Sequence, residues 1–332
     1  MCSTDLFFRA ALLIFLPNSP IFLLMKDLLK KYLFEDLSVR IQTVNLSQTW
    51  HDICEHQEFE PVLRNLLGEL SAAAVLLASN IKQEGTLILQ LHGQGPIQLL
   101  VVECNEDLQL RATMNVRQEF AIKATDSFQQ LLNYNGEGRF SVWFDPSNRP
   151  ADQSPYQGIV PIEGDSVAEV LRNYMRTSEQ IDTQFHLAAN SEKATGVLIQ
   201  RIPHSGGTHL ISVEDADEAW ERAKILCRTI TPEEQLAIDE EQLVTRVFFE
   251  EELRTYEPEV ISAFCSCTKE RVGAALKMLG RAEVESILEE MGQVEVKCHF
   301  CGKPYVYDPI DSAQLFLDEA QISSTDNSNR MN

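Results

Sequence analysis

The stretch TLILQLHGQGPIQLLVVECNEDLQLRATMNV, residues 86–116, decides the fold. It holds three apolar runs, Thr86–Leu91, Ile97–Glu103 and Leu108–Val116, parted by Gly93, Gly95 and Pro96 and then by Asn105 and Asp107. Runs of six to nine residues between turn-forming residues read as a meander of strands rather than as helices. Working outward toward the amino end, Leu63, Leu66, Leu67, Leu70, Ala74 and Leu77 recur at helical spacing behind Pro61, which suits a first helical turn. This predicts a helix over about 60–80 lying on the sheet, preceded by a shorter one over about 47–56. Toward the carboxyl end, strands are expected at Arg139–Phe144, Gly158–Ile162, Thr183–Ala188 and Gly196–Ile202, with a helix from Ser166 to Met175 capped by Asp165. Because strands come in runs instead of alternating with helices, the fold class is α+β and not doubly wound.

The chain has 332 residues, 44% hydrophobic and 23% charged, which fits a folded protein of two domains. Its 50 acidic against 28 basic residues give a net charge of -22, which repels a phosphate backbone, and no long Lys/Arg run relieves it. Neither nucleic acid nor membrane is expected as a partner. Residues 1–24, MCSTDLFFRAALLIFLPNSPIFLL, are apolar but broken by Pro17, Asn18 and Pro20, and no clean cleavage site follows. They are read as a start-site extension, with Met25 opening the protein.

Around residue 212 the character changes. Ser212–Ile230 and Pro232–Glu252 read as two acidic helices, the second capped by Thr231, with Leu236, Leu243, Val247 and Phe248 as an apolar stripe that must dock to be stable. From Pro258 onward lies a small unit whose middle, Thr268 to about Met291, is expected to be helical, followed by a hairpin of Val294–Lys297 and Pro304–Tyr307. Of eight cysteines, Cys2, Cys54, Cys104 and Cys227 are scattered, and the last three are expected to be inert buried thiols. Cys265, Cys267, Cys298 and Cys301 form a C-x-C and a C-x-x-C-G pair. Two such pairs supply the four thiolates of one tetrahedral zinc ion, and Gly302 tolerates the turn that aims backbone N–H groups at the second pair. Thiolate ligands require a reducing compartment, which points to the cytoplasm. The spacing leaves two roles open, a closed structural staple or a redox-active site in which neighbouring thiolates oxidise and lose the metal. Lys269, Arg271, Lys297 and Lys303 flank the ligands, and His299 is a weaker competing ligand. The glycines at 93–95 and 136–138 lack a following Lys-Ser/Thr, no nucleophile motif is present, and the chain is not expected to be an enzyme.

The cysteine pairs and their helical spacer resemble the redox-regulated holdase chaperones of the heat-shock protein 33 family. So do YLFEDLSVR at 32–40, GQGP at 93–96, YQGIVPIEGD at 156–165, SEQI at 178–181 and EVESILEEMG at 283–292. The resemblance runs from Met25 to about Leu317. It implies a substrate-binding α+β domain at 25–211, a helical linker at 212–258, a zinc-binding redox domain at 259–318 and a polar tail at 319–332. It further implies an ATP-independent chaperone whose reduced form carries one zinc on Cys265, Cys267, Cys298 and Cys301 and is inactive. Oxidation pairs Cys265 with Cys267 and Cys298 with Cys301, zinc is lost, the linker loosens, and a homodimer captures unfolding client proteins. Two other classes compete: a zinc-ribbon transcription factor, which the acidic charge disfavours, and a thiol-disulfide oxidoreductase using Cys298 and Cys301.

Overall fold

A computed structural model describes residues 27–150, 152–203 and 211–316. The expected start-site extension at 1–24 and the polar tail at 319–332 lie outside them. The chain divides into two compact units, with the break between Phe264 and Cys265.

The first unit is built on one sheet. The expected meander is present as β3 (Gly85–His92), β4 (Ile97–Asn105) and β5 (Gln109–Val116), continued on one side by β6 (Arg139–Pro146) and β7 (Tyr156–Pro161). A second antiparallel block comprises β1 (Asp27–Phe34), β2 (Val39–Leu46), β9 (Ala194–Arg201) and β8 (Thr183–Ala189). The strand order is β7-β6-β3-β4-β5-β11-β1-β2-β9-β8, where β11 is Glu259–Ala263. Short β10 (Leu253–Thr255) pairs with the far half of β1, opposite Tyr32–Phe34, while β11 pairs with Asp27–Leu29. Pro258, between them, has no N–H to give the ladder. β11 lies antiparallel to β1 and parallel to β5, so it is the seam that joins the two blocks. The sequence reading began the terminal unit at 259; residues 259–263 are instead strand in the sheet.

Helix α1 (Gln48–Cys54) precedes α2 (Pro61–Ala78), which crosses the sheet. By length and composition α2 could cross a membrane, but 61% of it is buried. Its close approach needs Gly68, where a Cβ would come within 2.5 Å of Ala189 Cβ. The main core lies between α2 and the sheet, with Trp50, Leu67, Leu70, Leu89, Leu100, Phe140 and Leu198 among its buried side chains. Two short helices, α3 (Phe128–Leu132) and α4 (Val167–Tyr174), close it. The cap of α4 is Ser166, whose hydroxyl accepts from Glu169 N–H, and not Asp165. Ser166 takes the extended backbone a cap requires while Asp165 lies one residue too early.

The second block is buried on both faces. Leu29, Val44, Leu46 and Leu198 face α2, while Tyr32, Phe34, Val39, Ile41, Val197 and Ile199 face a second core. The linker helices supply its other side: α5 (Val213–Cys227), α6 (Pro232–Ala237) and α7 (Glu240–Val247). Trp220, Ala223, Leu243, Val244, Val247 and Phe248 are buried against the sheet. Phe248 meets Phe34 edge-on, with ring centroids 5.9 Å apart. The single helix expected over 232–252 is two, because Ile238 leaves the helical region and Asp239 caps a new start, accepting from the N–H groups of Glu241 and Gln242. The restart turns Leu243, Val244 and Val247 onto the sheet. Gln235, itself buried, donates to the carbonyl of His186 on β8 at 3.0 Å.

In the second unit, the segment expected to be helical over 268–291 is two helices, α8 (Lys269–Leu279) and α9 (Arg281–Met291). They break at Gly280, whose φ of +99° only glycine adopts readily. The hairpin is as expected, β12 (Val294–Lys297) with β13 (Pro304–Tyr307). Among the described residues its core is five buried side chains, Leu276, Val284, Val294, Tyr307 and Phe316.

Candidate metal centre

Beside that small core the second unit gathers four clustered cysteines. Cys265 and Cys267 lie just ahead of α8, whose cap, Thr268, accepts from Arg271 N–H. The Arg271 guanidinium folds back to donate to Ser266 O at 2.9 Å and Ser266 Oγ at 2.6 Å, fixing the residue between the two sulfurs. Cys298 and Cys301 lie on the turn between β12 and β13. There Cys298 N–H donates to Lys303 O and Gly302 N–H to Cys298 O, both at 2.9 Å, and Gly302 takes the left-handed φ of +72° that the turn demands.

These two segments bring all four sulfurs together. Every pair of Sγ atoms lies within 4.8 Å, with Cys265 to Cys298 at 3.8 Å and Cys267 to Cys301 at 3.5 Å. A zinc ion bonded to four thiolates at about 2.3 Å sets sulfur–sulfur edges of about 3.8 Å, so the donor set and its spacing fit that ion. All four residues are half-buried, which limits access without closing it. His299 is exposed and outside the cluster.

The electrostatics of the four thiols are uneven. Burial pushes Cys298 up, but the N–H groups of Cys301 and Phe300 and the thiols of Cys301 and Cys267 outweigh it and hold Cys298 at about 7. Burial raises Cys265 and Cys301. Among the flanking cations, Lys269 pairs with Asp311 at 2.7 Å, and the Lys303 ammonium lies 5.8 Å from the Tyr305 ring centre. The sequence reading missed the neighbour that touches a sulfur. Tyr305 Oη lies 3.0 Å from Cys267 O and 3.2 Å from Cys267 Sγ, and that bond holds its phenol above the usual range. No spacing rule marks Tyr305, since β13 reaches Cys267 only through the fold.

The other cysteines stand apart. Cys104 and Cys227 are buried and Cys54 is half-buried, and burial pushes their thiols to about 12, 11 and 11. A pocket of about 600 Å³ beside Phe59, Leu63 and Met114 holds no cysteine or histidine in its lining.

Comparison with known proteins shows the family. The Hsp33 protein family model matches residues 27–308. The 33 kDa chaperonin of Neisseria gonorrhoeae strain FA 1090 is 40% identical over 293 residues, covering 88% of this chain and 92% of its own. That of Methylobacillus flagellatus is 40% identical over 303 residues, covering 91% and 98%. The crystal structure of the 33 kDa chaperonin from Thermotoga maritima superposes with a TM-score of 0.69 over 89% of this chain and 99% of that one, at 20% identity, and so shares the fold. With the matched region spanning both the sheet and the cysteine cluster, the chain belongs to the Hsp33 protein family.

Proposed function

We propose that this protein is a redox-regulated, ATP-independent chaperone that holds unfolding client proteins when its cysteines are oxidised. The carrying observation is the gathering of four sulfurs within 4.8 Å in a unit whose own described core is five side chains. In the reduced state Cys265, Cys267, Cys298 and Cys301 would hold one zinc ion, whose binding supplies roughly 10 to 16 kcal/mol of apparent folding energy to such a unit. When bound, the metal would fix the four thiolates in place and screen their charge.

A peroxide is the simplest oxidant for the switch. One thiolate of a pair attacks a peroxide oxygen, the O–O bond breaks and hydroxide leaves. The second thiolate then attacks the resulting sulfenic sulfur and displaces a second hydroxide, so two electrons pass from the sulfurs to one peroxide. The pairs are Cys265 with Cys267 and Cys298 with Cys301, neighbours in the chain that remain close once the unit loosens. Disulfides cannot serve as the four ligands, and the terminal unit unfolds. Strand β11, which follows the linker, ends one residue before Phe264 and two before Cys265, so it loses its folded continuation. Release of the linker helices uncovers Tyr32, Phe34, Val39, Ile41, Val197 and Ile199 on the sheet and Trp220, Leu243 and Phe248 on the helices, an apolar surface of the kind that binds unfolded chains. The active form is a homodimer, and thiolate metal ligands suit a reducing cytoplasm.

The test is peroxide treatment at mildly raised temperature, reading metal content, free thiols and light scattering of a heat-unfolded client. Loss of one zinc and four thiols with reduced scattering supports the proposal. Released metal with unchanged client aggregation overturns it, and catalytic turnover of a disulfide substrate would favour an oxidoreductase.

A further inference from the structure

We propose that Tyr305 is a positioning residue that restrains the sulfur of Cys267 against oxidants, and thereby sets how readily the site opens; the inference rests on the proposed function above. The Tyr305 hydroxyl carries one proton and faces two acceptors on the same residue, Cys267 O at 3.0 Å and Cys267 Sγ at 3.2 Å. Its ring packs against the small core, and the Lys303 ammonium lies 5.8 Å from the ring centre. A negatively charged sulfur draws the proton more strongly than a neutral carbonyl, because hydrogen bonds to ionised acceptors are about twice as strong as neutral ones. While Cys267 is a thiolate, the proton sits on sulfur. Once that sulfur enters a disulfide it has no charge to offer, and the carbonyl is the fallback. The contact therefore favours the reduced, ligating state.

The consequence is kinetic. In the first oxidation step a sulfur lone pair of Cys267 forms a bond to a peroxide oxygen as the O–O bond breaks and hydroxide departs. Cys265 then closes the disulfide and expels the second hydroxide. A phenol bound to the Cys267 lone pairs must be displaced, or must share density that the attack requires.

Tyr307 supplies the control. It occupies the same strand two residues on, is buried, and its hydroxyl donates to the Lys269 carbonyl, touching no sulfur. Full-length reduced protein with one bound zinc is compared as wild type, Tyr305→Phe and Tyr307→Phe. Alkylation of Cys267 by iodoacetamide, followed by peptide mass spectrometry, reads sulfur nucleophilicity without any redox step. Peroxide-driven metal release, followed with a chromophoric chelator, reads the switch. The cobalt-substituted protein reads the hydrogen bond itself through its sulfur-to-metal charge-transfer band.

Tyr305→Phe is expected to raise both rates by about three- to tenfold and to move the cobalt band to longer wavelength, with Tyr307→Phe changing neither. A 3-fluorotyrosine at 305, a more acidic donor in an unchanged fold, is expected to slow alkylation. Equal acceleration in both phenylalanine variants, or an unmoved cobalt band with unchanged alkylation, overturns the inference. Alkylation does not depend on peroxide, so a wild-type protein that ignores peroxide refutes the proposed function while the alkylation and cobalt results still decide the role of Tyr305.

Discussion

Replacing Phe248 by Ala tests whether linker docking is the latch. Phe248 follows α7 directly, is 2% exposed, and packs edge-on against Phe34 within the core that holds α5, α6 and α7 to the sheet. Removing a buried phenylalanine costs about 3–5 kcal/mol, of which the aromatic edge contact accounts for about 0.5–1.5. At about 1.4 kcal/mol per decade, the docked-to-undocked ratio should fall by roughly two to nearly four powers of ten. The loss is local, since the main core around α2 contains neither Phe248 nor Phe34. Native-state hydrogen exchange should therefore lose protection over residues 213–247 while α2 keeps its own, and metal content should stay at one. Light scattering of a heat-unfolded client should then show protection without any oxidant. The reasoning is refuted if residues 213–247 lose protection, metal is retained, and the client still aggregates as with the wild type, because exposed linker and sheet surfaces would then not be what captures clients.

Removing metal with a strong chelator under reducing conditions should unfold residues 265–316 and leave 27–203 ordered, visible as selective loss of amide protection in the terminal unit. Cys298→Ser should weaken zinc affinity by more than about tenfold in competition with a chromophoric chelator. It should also leave the terminal unit partly unfolded before any oxidant is added. For His186, burial and then the Arg172 charge hold the imidazole down at about 4, against an ordinary 6.5. The folded protein thus binds this proton less readily than the unfolded chain, so its stability is intact above pH 6.5 and is lost as pH falls toward 4. Denaturant midpoints across that window should flatten in His186→Asn. Gly68→Ala places a Cβ 2.5 Å from Ala189 Cβ and should cost about 1–3 kcal/mol by overpacking, with thermal unfolding of the first unit as the measurement.

The local code of this chain is legible wherever one residue type can do a job alone. Short apolar runs between Gly, Pro, Asn and Asp mark β3, β4 and β5, the leucine spacing marks α2, and Thr231 with Pro232 opens α6. The four clustered cysteines stand out because few functions other than metal binding or redox chemistry call for a C-x-C and a C-x-x-C-G in one chain. Strands β1 and β2 escape the reading because they are buried on both faces and carry Lys30, Lys31, Arg40 and Gln42 within them, which erases the alternation of a half-buried strand. Lys30 is tolerated because Glu240 and Glu241 of α7 come within 3.3 and 3.2 Å, a pairing no local window contains. The tertiary structure alone turns Glu259–Ala263 into the seam between two sheet blocks and breaks the linker at Ile238 so that its apolar residues meet the sheet. It also carries the Tyr305 hydroxyl to the sulfur of Cys267 across 38 residues. Sequence determines which groups are available and what each short segment prefers, whereas pairing between distant segments depends on a closed core, where position is set by the summed packing of many side chains and not by any residue's own preference.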